Sequence, residues 1–431
     1  MEKNDRVYQT YLQILRHELI SAMGCTEPIA LAYCAASARS ALGCLPEKIR
    51  VEASGNIIKN VKSVIVPNTG HRKGIAAAAC IGVLAGNEKA ELEVISNVSD
   101  EEKEQLASYM EQTEVEILPL SSDNLLDMIV TVYAKDSYAK VRIANEHTNI
   151  ILIEKDHEVL FEKNAAEDHK DEEEPDYSLL NVEGIYNFAC TCDIEDVREI
   201  LDRMIENNTA IAEEGMKNEY GANIGKVLLK TSSSLKTRAI AYAAAGSDAR
   251  MNGCELPVVI CSGSGNQGLT ASMPVIVYAK EYGATEEKLY RALLISTLIT
   301  IHLKAGIGRL SAYCGAVSAG AGAGAGIAYL HGGNESVISH TIVNALAITS
   351  GIVCDGAKSS CAAKIATAAE TGIFGFEMYQ NGQQFYGGDG LVVKGVENSI
   401  ANFARLARIG MRETDQEIIK MMTESGSPAA H

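Results

Sequence analysis

The spacing of hydrophobic residues divides the chain into a part with mixed periods and a part with helical periods alone. Apolar residues at every third or fourth position predict helices at 6–22 and 27–42, with Thr26 as the cap of the second and Pro28 in its first turn. Alternating valine and isoleucine then predict strands. We expect a strand hairpin at 48–68 that turns near Gly55-Asn56, a helix at 69–86, and strands at 91–97, 114–118, 127–135 and 138–155.

Beyond a charged stretch at 163–177, the hydrophobic period is helical almost throughout. We interpret this stretch, which contains Pro175, as a solvated linker and a domain boundary. The sequence thus predicts an α+β protein: a mixed α/β domain at 1–175, whose N-terminal helices contribute to the active site, and an all-helical domain at 176–431. Helices are predicted at 194–206, 209–216, 221–246, 269–282, 286–303, 311–330, 335–350, 355–371 and 396–423.

The stretch at 315–330 consists mostly of glycine and alanine and contains no charged residue. A membrane span, a flexible linker and a buried helix all fit such a composition. Glycine and alanine contribute little transfer energy to a bilayer, and the most apolar run, 292–301, is too short to span one. Because small side chains let neighbouring backbones approach closely, we expect a buried helix.

Composition limits the partners that this chain can bind. It has 38 basic and 56 acidic residues, a net charge of −18. Nucleic acid and anionic membranes are therefore excluded as expected partners, and a small-molecule substrate is favoured. The first fifteen residues include several charged ones, beginning at the second residue, and lack the apolar core of a signal peptide. We therefore expect a cytoplasmic location. Glycine-rich helix surfaces favour a homodimer.

Three of the eleven cysteines lie in the glycine-rich part, at Cys314, Cys354 and Cys361. Their spacing matches neither a structural zinc site nor a ferredoxin, and small buried hydrophobic residues are the alternative interpretation. Each, however, lies near glycine, where a helix can start and its backbone amides can face an anion. An iron-sulfur cluster bound by thiolates is such an anion, and three protein thiolates would leave one iron of four open to substrate.

A second candidate is the sequence GCTEP at 24–28. Cys25 precedes a predicted helix, whose dipole would stabilise a thiolate, so it is a candidate reactive group or metal ligand. A helix-capping turn with a buried thiol explains the same residues.

Two loops offer polar groups for a substrate. The first is the hairpin at 54–70, with Ser54, Asn56, Asn68 and Thr69, although ordinary turn chemistry also explains these residues. The second is the loop at 261–274, with Ser264 and Asn266, whose amides could hold a carboxylate or a phosphate. Similar loops occur in pyridoxal phosphate enzymes, but no serine-lysine motif is placed to supply the Schiff base. His302, Lys304 and Arg309 complete the candidates.

Taken together, these residues resemble the L-cysteine desulfidases, a family related to the alpha chain of iron-sulfur L-serine dehydratases. The match is carried by GCTEP, by the stretch from Ser54-Gly55-Asn56 to Pro67-Asn68-Thr69-Gly70, by GSGNQG at 263–268, and by the cysteines at 314, 354 and 361. It covers nearly the whole chain. GCTEP points to the desulfidase branch, whereas the dehydratases match mainly in the C-terminal cysteines and glycine-rich helices.

The resemblance implies a 4Fe-4S cluster held by Cys314, Cys354 and Cys361, with the fourth iron available to the leaving group of the substrate. It implies a catalytic role for Cys25, as a ligand or as an acid/base group. Substrate binding falls to Glu27, Ser54, Asn56, Asn68, Thr69, Ser264 and Asn266. The dehydratases carry a C-terminal cysteine that can occupy the open iron, and the ending TESGSPAAH predicts that this chain lacks it.

The resulting hypothesis is a lyase that converts L-cysteine to hydrogen sulfide, pyruvate and ammonia by β-elimination. One alternative is the same scaffold acting on L-serine or another β-substituted amino acid. Another is an iron-sulfur protein that senses iron or oxygen and has no enzymatic activity. The sequence leaves open the identity of the general base and the preference between cysteine and serine.

Overall fold

A mixed sheet organises the N-terminal part of the structure, a computed structural model that describes residues 1–122, 124–163, 175–308 and 310–424. Six strands lie in the order β3-β2-β4-β5-β6-β7, with β2 and β3 parallel and the other neighbours antiparallel. The strands are β1 (Ser21–Met23), β2 (Lys48–Ala53), β3 (Glu114–Pro119), β4 (Asp127–Ala134), β5 (Ser137–Ala144), β6 (Ile150–Lys155), β7 (Glu158–Glu162) and β8 (Pro257–Val259).

Helices make up most of the molecule, 59% against 12% strand, which confirms the predicted α+β class with its small sheet and large helical part. They are α1 (Arg6–Glu18), α2 (Thr26–Leu42), α3 (Gly55–Val61), α4 (Gly74–Ala85), α5 (Asp100–Gln112), α6 (Val182–Thr191), α7 (Arg198–Lys217), α8 (Ile224–Thr231), α9 (Leu235–Met251), α10 (Gly265–Glu281), α11 (Glu286–Ala305), α12 (Ala316–Leu330), α13 (Glu335–Ile348), α14 (Cys361–Gln380), α15 (Val396–Arg405) and α16 (Arg412–Glu424).

Two predicted strand segments are wrong. The hairpin at 48–68 is a strand only as far as Ala53. A short helix, α3, follows with Ser54 as its N-cap residue, and it buries Ile57 and Val61. The segment at 91–97 is a 3-10 turn at Glu88–Glu93 followed by irregular backbone. Its apolar side chains are nevertheless buried, so hydrophobicity alone did not distinguish this turn from a strand.

The glycine-alanine stretch forms α12, and all its residues except Tyr329 are buried, which confirms the predicted buried helix. Its glycines lie directly against other backbones. A methyl group on Gly320 would overlap the carbonyl of Ala368 in α14, and one on Gly322 would overlap that of Ser296 in α11. Close approach of three helices thus requires glycine at these positions. Among the described residues, no helix is long and apolar enough to cross a membrane.

A small strand pair joins the beginning of the chain to its helical half. β1 pairs antiparallel with β8, with Ser21 opposite Val259. The pairing places the residues that follow β1, at the start of α2, beside the loop that follows β8, before α10. The predicted linker at 163–177 lies largely outside the described residues, and the domain boundary there stays a prediction.

Candidate active site

The beginnings of four helices, α2, α10, α12 and α14, surround a cavity of about 110 Å³. Seven of the residues predicted to be catalytic, substrate-binding or cluster-binding lie in its wall: Cys25, Glu27, Ser264, Asn266, Cys314, Cys354 and Cys361. Further charged or polar residues of the wall are Lys59, Asn60, His147, Arg250, Ser262, Gln267, Lys304, Ser311 and Tyr313.

Backbone pairing brings two distant cysteines together. Tyr313 and Val353 form an isolated antiparallel bridge. The amide of Cys314 donates to the carbonyl of Ile352 at 2.9 Å, and the amide of Cys354 donates to that of Ala312 at 2.7 Å. The two cysteines are therefore neighbours despite forty residues of separation. Cys361, the first residue of α14, completes the group.

The three thiols interact with one another, and none forms a disulfide. A hydrogen bond from Cys314 lowers the pKa of Cys354 against the effect of burial, with further help from Lys59 and Lys364. The same hydrogen bond, together with burial, raises the pKa of Cys314. Burial also raises the pKa of Cys361. The wall thus favours a thiolate at Cys354, the form in which cysteine binds metals.

Three thiols in the wall of one cavity are a donor set of the kind that iron-sulfur clusters use. Within the described ranges, no three histidine, cysteine, aspartate or glutamate side chains converge on a point that could hold one metal ion. A cluster does not need such convergence, because each thiolate binds a different iron. Cys314, Cys354 and Cys361 all reach the same cavity, so they are suited to hold a cluster through three of its irons.

The same cavity also contains a carboxylate, Glu27, which is buried in the first turn of α2. Its Oε1 accepts a hydrogen bond from Asn60 at 2.9 Å, and its Oε2 accepts one from the Cys25 thiol at 3.2 Å. The Thr26 hydroxyl lies 3.1 Å from Oε2. Burial opposes ionisation, but His147, a backbone amide, Cys25 and Arg250 together hold the pKa of Glu27 below its ordinary value.

Cys25, and not Thr26 as predicted, occupies the N-cap of α2, and the helix dipole does not make it a thiolate. Burial and the charge of Glu27 raise its pKa well above the ordinary value. Cys25 is therefore a protonated thiol that donates to Glu27. This corrects the electrostatic argument made from the sequence, because the nearby carboxylate and the loss of water outweigh the dipole.

Four predicted substrate-binding residues do not line the cavity, and each of them donates a hydrogen bond within the fold. Ser54 donates to the carbonyl of Leu125 at 2.7 Å, Thr69 to that of Val66 at 2.6 Å, and Asn68 to that of Ile95 at 2.7 Å. Asn56 donates to Asp415 of α16 at 3.1 Å.

The last three candidates, His302, Lys304 and Arg309, do not share one location. Lys304 lies in the cavity wall, whereas His302 is paired with Glu397 at 2.7 Å and does not line the cavity. Arg309 lies outside the described residues.

The charged or polar wall residues that sequence reasoning missed include Lys59, Asn60 and Arg250. Lys59 and Asn60 belong to the segment that was predicted as a hairpin. Arg250 lies near the end of α9, a helix rich in alanine. A single arginine within a run of small residues was the available signal, because arginine is almost never fully buried without a reason.

Comparison with known proteins identifies the family of the chain. The family model described as serine dehydratase alpha chain matches residues 89–420. The chain belongs to this family. The matched range includes Arg250, the loop before α10, and Cys314, Cys354 and Cys361, but it excludes Cys25 and Glu27.

Individual relatives are similar to this chain along almost its whole length. A UPF0597 protein of Desulfitobacterium hafniense is 58% identical over 98% of each chain. One of Lachnoclostridium phytofermentans is 50% identical over 96% of this chain and 100% of its own length. One of Treponema denticola is 44% identical over 96% and 98%. The similarity to these relatives thus also covers the segment that contains Cys25 and Glu27.

Proposed function

We propose that the protein is an iron-sulfur L-cysteine desulfidase that releases hydrogen sulfide from L-cysteine and yields pyruvate and ammonia. One observation carries the proposal. Three cysteines from separate segments reach the same small cavity as a buried Cys25–Glu27 pair. Membership of the serine dehydratase alpha chain family supports a lyase of this type.

The chemistry requires removal of an α-proton and departure of sulfide from the β-carbon. When bound by Cys314, Cys354 and Cys361, a 4Fe-4S cluster with one iron free of protein ligands supplies a Lewis acid for the leaving sulfur. The aminoacrylate that remains reacts with water to give pyruvate and ammonia.

The protein's own groups handle the proton and the orientation of the substrate. The Glu27 carboxylate, whose pKa is lowered, is the group of the pair that can accept the α-proton, and the Cys25 thiol that donates to it holds it at a fixed position in the wall. Ser264 and Asn266 lie at the start of α10, where free amides and the helix dipole favour the substrate carboxylate. The small cavity restricts the substrate to a few orientations, which favours elimination.

The family description favours L-serine as a second candidate substrate. The same elimination would then release water instead of sulfide. Hydroxide is a poorer leaving group than thiolate, so the preference between the two amino acids depends on the contacts of the leaving group. Rates on both amino acids must therefore be measured with one preparation.

Anaerobic purification and cluster reconstitution test the proposal. We expect about four irons and four sulfides per chain, and sulfide release from L-cysteine that exceeds pyruvate formation from L-serine. Faster turnover of L-serine would replace the desulfidase by a dehydratase. Cluster absorption without turnover of either amino acid would favour a sensor. Full activity without iron, or with all three cysteines changed to serine, would contradict the mechanism.

A further inference from the structure

Arg250 is a buried arginine with no ionic partner among the described residues. It is 1% exposed and lines the cavity, and its Nε has no hydrogen-bond partner. No ion pair of the described chain includes it. A buried guanidinium without a counter-ion is unfavourable by several kcal/mol. Its place in a cavity wall therefore indicates that an anion completes its interactions.

The guanidinium also packs against the positive end of a helix. Gly265 is the first residue of α10, and a methyl group on it would overlap Nε of Arg250. Ser262 and Gly263, just before the helix, both have positive φ, 50° and 76°. They are the two central residues of a tight turn, in which Cys261 and Ser264 exchange backbone hydrogen bonds and which leads directly into α10. The guanidinium of Arg250 and the N-terminus of α10 are both positive and lie together. An anion bound between them would relieve their repulsion.

Glu27, which lines the cavity, and Asp415, which pairs with the lining residue Lys59, do not serve as this anion. Glu27 already accepts hydrogen bonds from Asn60 and Cys25, and no ion pair within 4.0 Å joins it to Arg250. Asp415 is paired with Lys59 at 2.6 Å. Glu27 and Arg250 do influence each other through space, since Arg250 contributes to lowering the pKa of Glu27. The guanidinium consequently remains available to a ligand.

Two carboxamide oxygens near Arg250 are suited to bind the ammonium group of an amino acid whose carboxylate Arg250 binds. The carboxamide oxygens of Asn266 and Gln267 are buried, line the cavity, and have no hydrogen-bond partner. Oxygen acceptors of this kind suit an ammonium group. A cation and unfilled acceptors close together are complementary to the carboxylate and ammonium of an α-amino acid.

We propose that Arg250 binds the α-carboxylate of the substrate and thereby selects free amino acids over esters and amines. The identity of the amino acid rests on the proposed function, whereas the carboxylate site rests on the cavity itself. Arg250 is then a specificity-determining residue that orients the α-carbon toward Cys25 on one side and the three cysteines on the other.

Pyruvate, a carboxylate that undergoes no elimination, tests the site without turnover. The reconstituted protein and its Arg250→Gln variant are titrated with pyruvate by calorimetry. We expect affinity to fall about a hundredfold in the variant and to recover partly in Arg250→Lys, which keeps the charge but not the fork of donors. Arg291→Gln is the control, because Arg291 is a largely buried arginine that bonds to Ala189 and lies outside the cavity wall.

Turnover of L-cysteine and its methyl ester gives a second measurement. We expect Arg250→Gln to reduce kcat/KM for L-cysteine about a hundredfold and to change that for the ester little. An equal loss on acid and ester, with unchanged pyruvate binding, would overturn the proposal. Pyruvate binding that depends on Arg250 in a protein that releases no sulfide would support the carboxylate site and contradict the proposed function.

Discussion

The cavity has two walls that differ in how far the protein completes its own hydrogen bonds. The carboxylate wall, formed by Cys25, Glu27 and Asn60, is satisfied: both oxygens of Glu27 accept protein hydrogen bonds. The thiol wall, formed by Cys314, Cys354 and Cys361, is not. The Cys314–Cys354 contact joins two groups that both prefer metals, and Cys361 makes only a long contact of 3.7 Å to a carbonyl.

This difference suggests separate tasks for the two walls: the carboxylate wall holds a group in position for proton transfer, and the thiol wall binds iron. A carboxylate fixed by two donors is held in one geometry before substrate arrives, which suits proton transfer. Thiols that bond mainly to each other lose little when iron replaces their protons. We therefore expect mutations in the thiol wall to reduce iron binding and mutations in the carboxylate wall to reduce kcat. Mutating each wall tests whether the two act separately.

Cys354→Ser should have the largest effect, because it removes the thiol whose pKa is lowered. We expect bound iron to fall and sulfide release from L-cysteine to drop below detection, since a serine hydroxyl remains protonated at neutral pH. Iron counting and a sulfide assay under anaerobic conditions measure both. Cys44→Ser, at an exposed cysteine, is the control and should leave both unchanged. Full iron content in Cys354→Ser would contradict a thiol wall that binds metal.

Asp415→Asn should have the next largest effect, on stability. The Lys59–Asp415 pair joins α3 to α16 and is buried, with side-chain exposures of 1% and 11%. Loss of the carboxylate leaves the Lys59 ammonium uncompensated, which costs about 3–5 kcal/mol of the free energy of unfolding. Urea unfolding followed by circular dichroism measures the change.

The matched control is Glu417→Gln in the same helix, whose pair with Lys420 is more than half exposed. We expect a loss of less than about 1 kcal/mol. Equal losses in the two variants would show that the buried pair does not hold α16 against α3.

Glu27→Gln should disturb the carboxylate wall alone. A carboxamide presents one donor nitrogen, so it cannot accept from both Cys25 and Asn60. We expect kcat for L-cysteine to fall about a hundredfold, within the usual range for acid-base groups, while iron content stays unchanged. Glu47→Gln, at an exposed residue, is the control. A parallel loss of iron would show that the two walls are not separable.

Gly372→Ala should have the smallest effect and acts behind the thiol wall. A methyl group there would overlap the carbonyl of Gly320, forcing α14 away from α12. Overpacking of this kind costs about 1–3 kcal/mol, which a thermal melt detects as a lower Tm. Ser318→Ala in α12 is the control: its buried hydroxyl has no partner, so its removal should not lower Tm. An unchanged Tm in Gly372→Ala would contradict the close packing.

Much of the helical half could be predicted from local pattern. The Gly/Ala stretch of α12 indicated a buried helix, because only small residues permit such close backbone contact. The α3 segment could not be predicted, because Ile57, Ile58 and Val61 fit a strand and a helix equally well over so few residues. Arg250 was overlooked because its significance depends on the absence of a partner, which the order of residues does not reveal.

By itself, the sequence determined the α+β class, the central helix and the residue types available for chemistry, because these depend on local periodicity and composition. Only the tertiary structure decided which residues meet. The pairing of Tyr313 with Val353 brought Cys314 to Cys354, and the pairing of β1 with β8 brought Cys25 to the loop before α10. It also decided that Cys25 is protonated, since pKa depends on burial and on charges from distant segments.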